Sequence, residues 1–300
     1  MPLFGANASK KLNLYGSGID GDQTFAATQS ALARTMYYNT LILDNGGVLP
    51  SGGFPIFAKT RSHVKSGGKI VRSGNPASSF TAGAALADQL LGGGAAGGDG
   101  QLAGGTAGSA ASPSYGGAGG LAGAGTGGLA GAGGTIGPLT AVGGDPPLEF
   151  LLWLLFGHTI ANATTSRYKG GAGGGGGGGD VTGRGGGGGG GAGVVLLVAP
   201  EIVIDSGGAV EAIGGAGGAA QATNCGGGGG GGGGIIVALS DDGVQGVLGG
   251  ISAAGGGGTL DNAIANVKNA AFYQNHPIGS SRADILKELE ARRTKAAGQN

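Results

Sequence analysis

Three histidines, one cysteine and a few paired aspartates are the residues that could give this chain catalytic or metal chemistry. His63, His158 and His276 stand far apart, and no two have the spacing of a zinc ligand pair. Cys225 follows Asn224 and precedes nine glycines, Gly226–Gly234. A thiol nucleophile needs a base close by and a site for the oxyanion, and the surrounding sequence offers neither. A single cysteine also excludes an intramolecular disulfide and a cysteine-built zinc site. Asp20/Asp22 and Asp241/Asp242 carry the carboxylates of a calcium site without EF-hand spacing, so they read as solvated turn residues. Gly68-Lys69 is followed by Ile70, where a phosphate-binding P-loop needs Ser or Thr. Matches to the dinucleotide fingerprint inside Gly173–Gly179 are trivial, because a homopolymer contains every spacing. No catalytic, cofactor or metal site is expected, and the chain reads as a scaffold and not an enzyme.

The scaffold must be built from glycine, which fills 79 of the 300 positions. Glycine tolerates nearly any backbone geometry but loses the most entropy on ordering. Dense main-chain hydrogen bonding is what would hold such a chain. Charged residues are 11%, with 17 basic and 17 acidic side chains. That composition does not match a highly charged disordered chain, and it supplies no basic surface for nucleic acid. The first residues lack the basic-then-apolar order of a secretory signal. The longest apolar run, Phe150–Phe156, is far short of the ~20 residues of a membrane-spanning helix. Manufacture in a host cytoplasm and release by lysis is the expectation.

The organisation changes along the chain. Residues 1–36 form an N-terminal attachment segment, with a short helix expected over Thr24–Met36. Residues 37–79 are β-like: Tyr38–Leu43 meets the turn Asp44-Asn45-Gly46-Gly47, and Val48-Leu49 and Phe54–Phe57 follow. Glycine at such turns supplies a positive φ. Val64-Lys-Ser-Gly-Gly-Lys-Ile70 matches Ile204-Asp-Ser-Gly-Gly-Ala-Val210. At the same offset Phe57-Ala58 matches Leu197-Val198, and Gly74 matches Gly214. Leu43–Leu49 is a further copy and Val247–Ala254 a looser fourth. Each copy is a strand, a tight turn and a strand, too small to bury its own apolar face, so copies must stack. Two mainly β architectures satisfy this: a parallel β-solenoid, or a β-meander of antiparallel hairpins. Val194–Val198 reads as a strand buried on both faces.

Residues 80–147 are a Gly/Ala-rich insertion. It contains the octads Gly119–Thr126 and Gly127–Gly134, whose Leu121 and Leu129 read as packing anchors where the alternative is a flexible linker. Residues 148–258 combine an apolar segment with the runs Gly173–Gly179, Gly185–Gly191 and Gly226–Gly234. Such runs suit extended, threefold polyglycine helices, which have no internal hydrogen bonds and must bond to neighbours. A polyglycine-helix bundle is therefore expected, with loose loops as the alternative. The partners are expected from packing identical chains into a homo-oligomer.

Two places are candidate interfaces. Phe150, Trp153 and Phe156 concentrate large apolar area in one short run, which suits a core, a subunit interface, or a host or membrane contact. In the C-terminal segment, 259–300, Ser281-Arg-Ala-Asp284 resembles a capping box before Ile285 and Leu289, one helical turn apart. A short C-terminal α-helix is expected, either as a cap on its own subunit or as a docking arm.

The set Asp20-Gly-Asp22, Tyr37-Tyr-Asn39, Leu41–Leu43, Gly53–Phe57 and Gly67–Ile70, followed by the glycine runs, Val194–Ile204, Gly207-Gly208 and Ile235–Leu239, resembles glycine-rich virion proteins of tailed bacteriophages. The resemblance covers residues 20–75 and 145–256, and the C-terminal helix has no counterpart in it. It implies a structural protein of a tail fibre, adhesin or head decoration. It also implies partners among other virion proteins, a host cell-surface receptor, and a trimer of the chain. A glycine-rich ice-binding protein is the rival class.

Overall fold

The computed structural model describes residues 15–111, 116–126, 128–136, 169–180, 182–240, 244–246 and 250–255. Phe150, Trp153, Phe156, Ile285 and Leu289 lie outside the described residues, as do Asp241, Asp242, His158 and His276. Eleven strands are described. They are β1 (Gln23–Phe25), β2 (Met36–Leu43), β3 (Val48–Pro50), β4 (Ile56–Val64), β5 (Lys69–Val71) and β6 (Val194–Val198). After them come β7 (Ile202–Ile204), β8 (Ala209–Glu211), β9 (Ile235–Leu239), β10 (Val244–Gly246) and β11 (Ile251–Ser252).

Every strand pairing is parallel. The antiparallel hairpin alternative is thereby overturned. A Gly-Gly turn here does not fold a strand back on its partner; it carries the chain from one sheet to the other. One sheet runs β1-β2-β4, after which β4 pairs with β6 along its first half and β7 along its second; β6 then pairs with β9 and β7 with β10. The other sheet runs β3-β5-β8-β11.

The turns repeat with the strands. Gly47, Gly68 and Gly208 each donate to the carbonyl three residues back, on Asp44, Lys65 and Asp205, at 2.8–2.9 Å. The third residue of each turn, Gly46, Gly67 or Gly207, has φ of +78° to +85°, the conformation that makes glycine the default there. The fourth glycine is needed for a different reason. A Cβ on Gly68 would lie 2.5 Å from the carbonyl oxygen of Leu43 in the neighbouring copy.

Leu41, Leu43, Val64, Ile202 and Ile204 of the larger sheet and Leu49, Ile70 and Val210 of the smaller one share a single buried core. β6 is buried on both faces: Val195 and Leu197 join that core, while Val194, Leu196 and Val198 pack with Tyr15, Phe57, Leu91 and Ile235. On the outer surface Lys65 Nζ meets Asp44 Oδ1 at 2.6 Å, and Arg61 Nε stands 3.5 Å from Glu201.

Three expectations need correction here. No helix forms over Thr24–Met36. Gln23–Phe25 pairs with Leu41–Leu43, and the amides of Gln29 and Leu32 donate to the carbonyls of Val48 and Pro50. Capping the open edge of two sheets satisfies that backbone better than an isolated short helix would. Second, Phe57 pairs with Val198, not Leu197. β4 carries one extra residue at Lys59–Thr60 against both of its neighbours, a β-bulge that slips the register by one. Both residues of the bulge are exposed. Third, in the loosest copy Gly246 holds the place of Ile204 in the row, and Val247 lies outside the described residues.

The glycine segments are neither helix nor strand, yet they are densely bonded. Gly171, Gly174 and Gly177 donate to Ala192, Gly189 and Gly186; Ala172, Gly175 and Gly178 donate to Gly117, Gly120 and Gly123; Gly173, Gly176 and Gly179 donate to Ser109, Thr106 and Ala103. Each third of the amides serves a different neighbour. Gly185–Gly191 behaves in the same way toward segments near Gly98, Gly229 and Ser79. All these partners belong to one chain, so the runs do not need a second copy to supply them.

The described part of the Gly/Ala-rich insertion joins this network: Ala95, Gly98, Gly131 and Gly134 donate to Gly171, Gly174, Gly176 and Gly173. It is not a free linker. Leu121 and Leu129, however, are 79% and 82% exposed and anchor nothing. An eight-residue spacing is out of step with a three-residue bonding period. The turn at Gly125–Gly128 also puts the two leucines on opposite arms of a hairpin.

Candidate binding surface at the tip of the glycine segments

The chain leaves the sheets after β5 and β8 and re-enters them at β6 and β9. The glycine segments between these points run outward and return, so their turns collect at the end remote from the strands. Five turns meet there: Ser78–Thr81, Gln101–Gly104, Gly125–Gly128, Asp180–Gly183 and Gln221–Cys225. Bonds between turns fix them. Gly185 donates to Gln101, Thr126 to Asn224 and Gln221 to Arg184, at 3.0–3.1 Å, and the Arg184 amide donates to Gln221 Oε1 at 3.1 Å.

Four of the turns are also tied internally, among them Gly125–Gly128 and Gln221–Cys225, where the Cys225 amide donates to the Ala222 carbonyl at 3.1 Å. Asp180 Oδ1 accepts from the Thr182 amide and hydroxyl, both at 2.8 Å, and from the Gly183 amide at 2.6 Å. The Thr182 hydroxyl, and then the two amides, hold this carboxyl below its ordinary range. Ser78 and Thr81 exchange amide–carbonyl bonds at 2.9 and 3.0 Å around Ser79. Ser79 has φ of +52° and is the one described non-glycine residue with a positive φ. A non-glycine residue in that region carries strain, and its carbonyl accepts from Gly187.

The surface presents charged, aromatic, apolar and amide side chains together. The Arg184 guanidinium lies 4.9 Å over the Phe80 ring, a cation–π contact. Leu102 and Leu129 are exposed beside Gln101, Thr126, Gln221 and Asn224. The tip thus presents an arginine stacked on an aromatic ring, with exposed leucine and amide side chains around it.

The residues singled out for chemistry are dispersed. Cys225 lies at the tip, with its Sγ 2.9 Å from where a Cβ on Gly183 would stand. His63 is on β4 among the strands, its Nε2 3.0 Å from Asp205 Oδ2 in a geometry outside hydrogen bonding. Asp20 is not a free turn carboxylate: it accepts from Arg34 at 2.5 and 3.1 Å and from the Tyr37 amide at 2.7 Å. The bonds from Arg34 lower its pKa against the effect of burial. Asp22 accepts from Asn39 Nδ2. Among the described residues no group of three His, Cys, Asp or Glu side chains could hold a metal ion, and no helix is long and apolar enough to cross a membrane.

Neither these five turns nor their meeting place was legible in the sequence, because glycine runs carry no pattern that says where a segment reverses or which segment it neighbours. Protein-family models, curated proteins and solved structures contain no match to this chain.

Proposed function

We propose that the chain is a non-enzymatic structural protein of a tailed-phage virion, of the fibre or adhesin kind, that holds a binding surface away from the particle. In this reading the stacked parallel strands are a short β-solenoid and the glycine segments are a bundle of polyglycine helices. The observation that carries it is the three-residue period of main-chain bonding around Gly171–Gly179. A threefold extended helix points successive amides in three directions, and such bonding from all sides suits a stiff spacer. The tip turns are then the contact with a host-surface partner, and the strand end faces the other virion proteins. Head decoration is the alternative position on the particle, and the number of copies is a matter for native mass measurement.

The test is mass spectrometry of purified particles of the phage that encodes the chain, combined with immunogold labelling. The expected result is chain peptides in intact virions and label on the tail. Label on the head places it as a decoration protein. Absence from particles overturns the reading.

A further inference from the structure

Arg184 is the one described arginine whose guanidinium has no acceptor among the described residues. Arg34 bonds the Asp20 carboxylate, Arg61 Nε stands 3.5 Å from Glu201, and Arg72 Nη2 donates to the Ala87 carbonyl at 2.8 Å. Arg184 is exposed at the tip and forms no ion pair with any described residue. Asp180 and Asp99, two carboxylates at this end of the segments, are engaged otherwise. Asp180 Oδ1 takes its three donors from Thr182 and Gly183, and Asp99 Oδ1 accepts from the Ala82 amide at 2.8 Å.

The unpaired side chain is nonetheless held in place. The Arg184 amide donates to Gln221 Oε1 at 3.1 Å, and its carbonyl accepts from the Gln221 amide at 3.0 Å. The Phe80 ring, 4.9 Å from the guanidinium carbon, is fixed in turn. The Phe80 carbonyl accepts from the Gly100 amide at 2.9 Å, and Ser79, with its φ of +52°, stands directly before it. Strained residues of this kind cluster where a ligand is held. The N–H donors of a guanidinium lie in its own plane, so a ring against its face leaves them open to an acceptor. We infer that Arg184, backed by Phe80, is a binding point for an oxyanion, a carboxylate or a phosphate, taken through two parallel N–H···O bonds. A planar fork without an acceptor of its own matches such a group in charge and in geometry. That the anion belongs to the partner of the tip rests on the role proposed for the tip above; the site itself does not.

NMR of the arginine Nε–H groups in the full-length protein tests this, with inorganic phosphate and acetate titrated separately at constant ionic strength. The Arg184 signal is expected to shift saturably with at least one of them. The anion that saturates it at the lower concentration distinguishes phosphate from carboxylate. Arg34, Arg61 and Arg72 are expected to stay in place, because their guanidinium groups are already engaged. In Phe80→Ala the half-saturating concentration is expected to rise about threefold, as loss of a cation–π contact would give. An Arg184 signal that stays still, or that drifts without saturation alongside Arg34, overturns the proposal. An unchanged midpoint in Phe80→Ala overturns it as well. Absence of the chain from particles would leave this titration standing, so the two readings fail separately.

Discussion

Val64 and Ile204 are 140 residues apart in sequence and stand side by side in register on adjacent parallel strands. The copy that follows Val64 turns normally through Lys65–Gly68 and completes β5. The chain then leaves the sheets and returns at β6 only after building most of the glycine segments. Those segments are thus an excursion from one stacked copy, and a second excursion leaves the next copy after β8. Both start and finish on the same sheets, which holds the outgoing and returning segments side by side at that end.

Burial of the central glycines gives the sharpest prediction. A Cβ on Gly188 would lie 2.1 Å from the Gly174 carbonyl oxygen, whereas one on Gly227 would meet nothing nearer than 3.7 Å. Gly188→Ala should destabilise by about 1–3 kcal/mol or more, as overpacking does, while Gly227→Ala should be close to neutral. Paired thermal or denaturant melts check this, and equal midpoints would show that the segments are loosely packed.

Tyr38 sets an alkaline limit. Burial is the main cause that pushes its phenol up to about 12, with Asp20 adding to the effect. An unfolded tyrosine loses its proton near pH 10, so between pH 10 and 12 only the unfolded state ionises. Stability from this residue is full below pH 10 and falls by up to about 1.4 kcal/mol per pH unit above it. The difference between parent and Tyr38→Phe melts, followed from pH 8 to 12, should shrink along that slope.

Ser62 is fully buried between Leu41 and Ile202, and its Oγ has no hydrogen-bond partner. An unpaired buried hydroxyl costs about 1–3 kcal/mol. Ser62→Ala should therefore raise the unfolding free energy by about 1 kcal/mol. A loss of stability in urea titration would mean that the hydroxyl has a partner after all.

At the tip, Leu129→Asp and Arg184→Ala should leave the melting temperature within about a degree, since single exposed substitutions are usually within ±0.5 kcal/mol. Both should reduce adsorption of particles carrying them to host cells. Unchanged adsorption by the double variant would move the contact surface elsewhere on the molecule.

Local chemistry was legible along the chain. Asp44–Gly47, Lys65–Gly68 and Asp205–Gly208 announced three equivalent turns, because a positive φ at the third position calls for glycine. The alternation of short apolar runs located most of the strands around them. It also made Val194–Val198 a strand buried on both faces, and its side chains divide between the two apolar clusters as that reading requires. Direction and partnership were settled only in three dimensions. A Gly-Gly turn is compatible with a hairpin or with a passage between sheets, and only the pairing of Val64 with Leu43 and Ile204 selects the second. The helix expected at Thr24–Met36 was lost for a similar reason: an exposed sheet edge competed for its amides. The glycine runs are the extreme case. With no side chains they carry no address, so long-range packing alone chose which backbone each amide meets, and with it the gathering of the five turns at the tip.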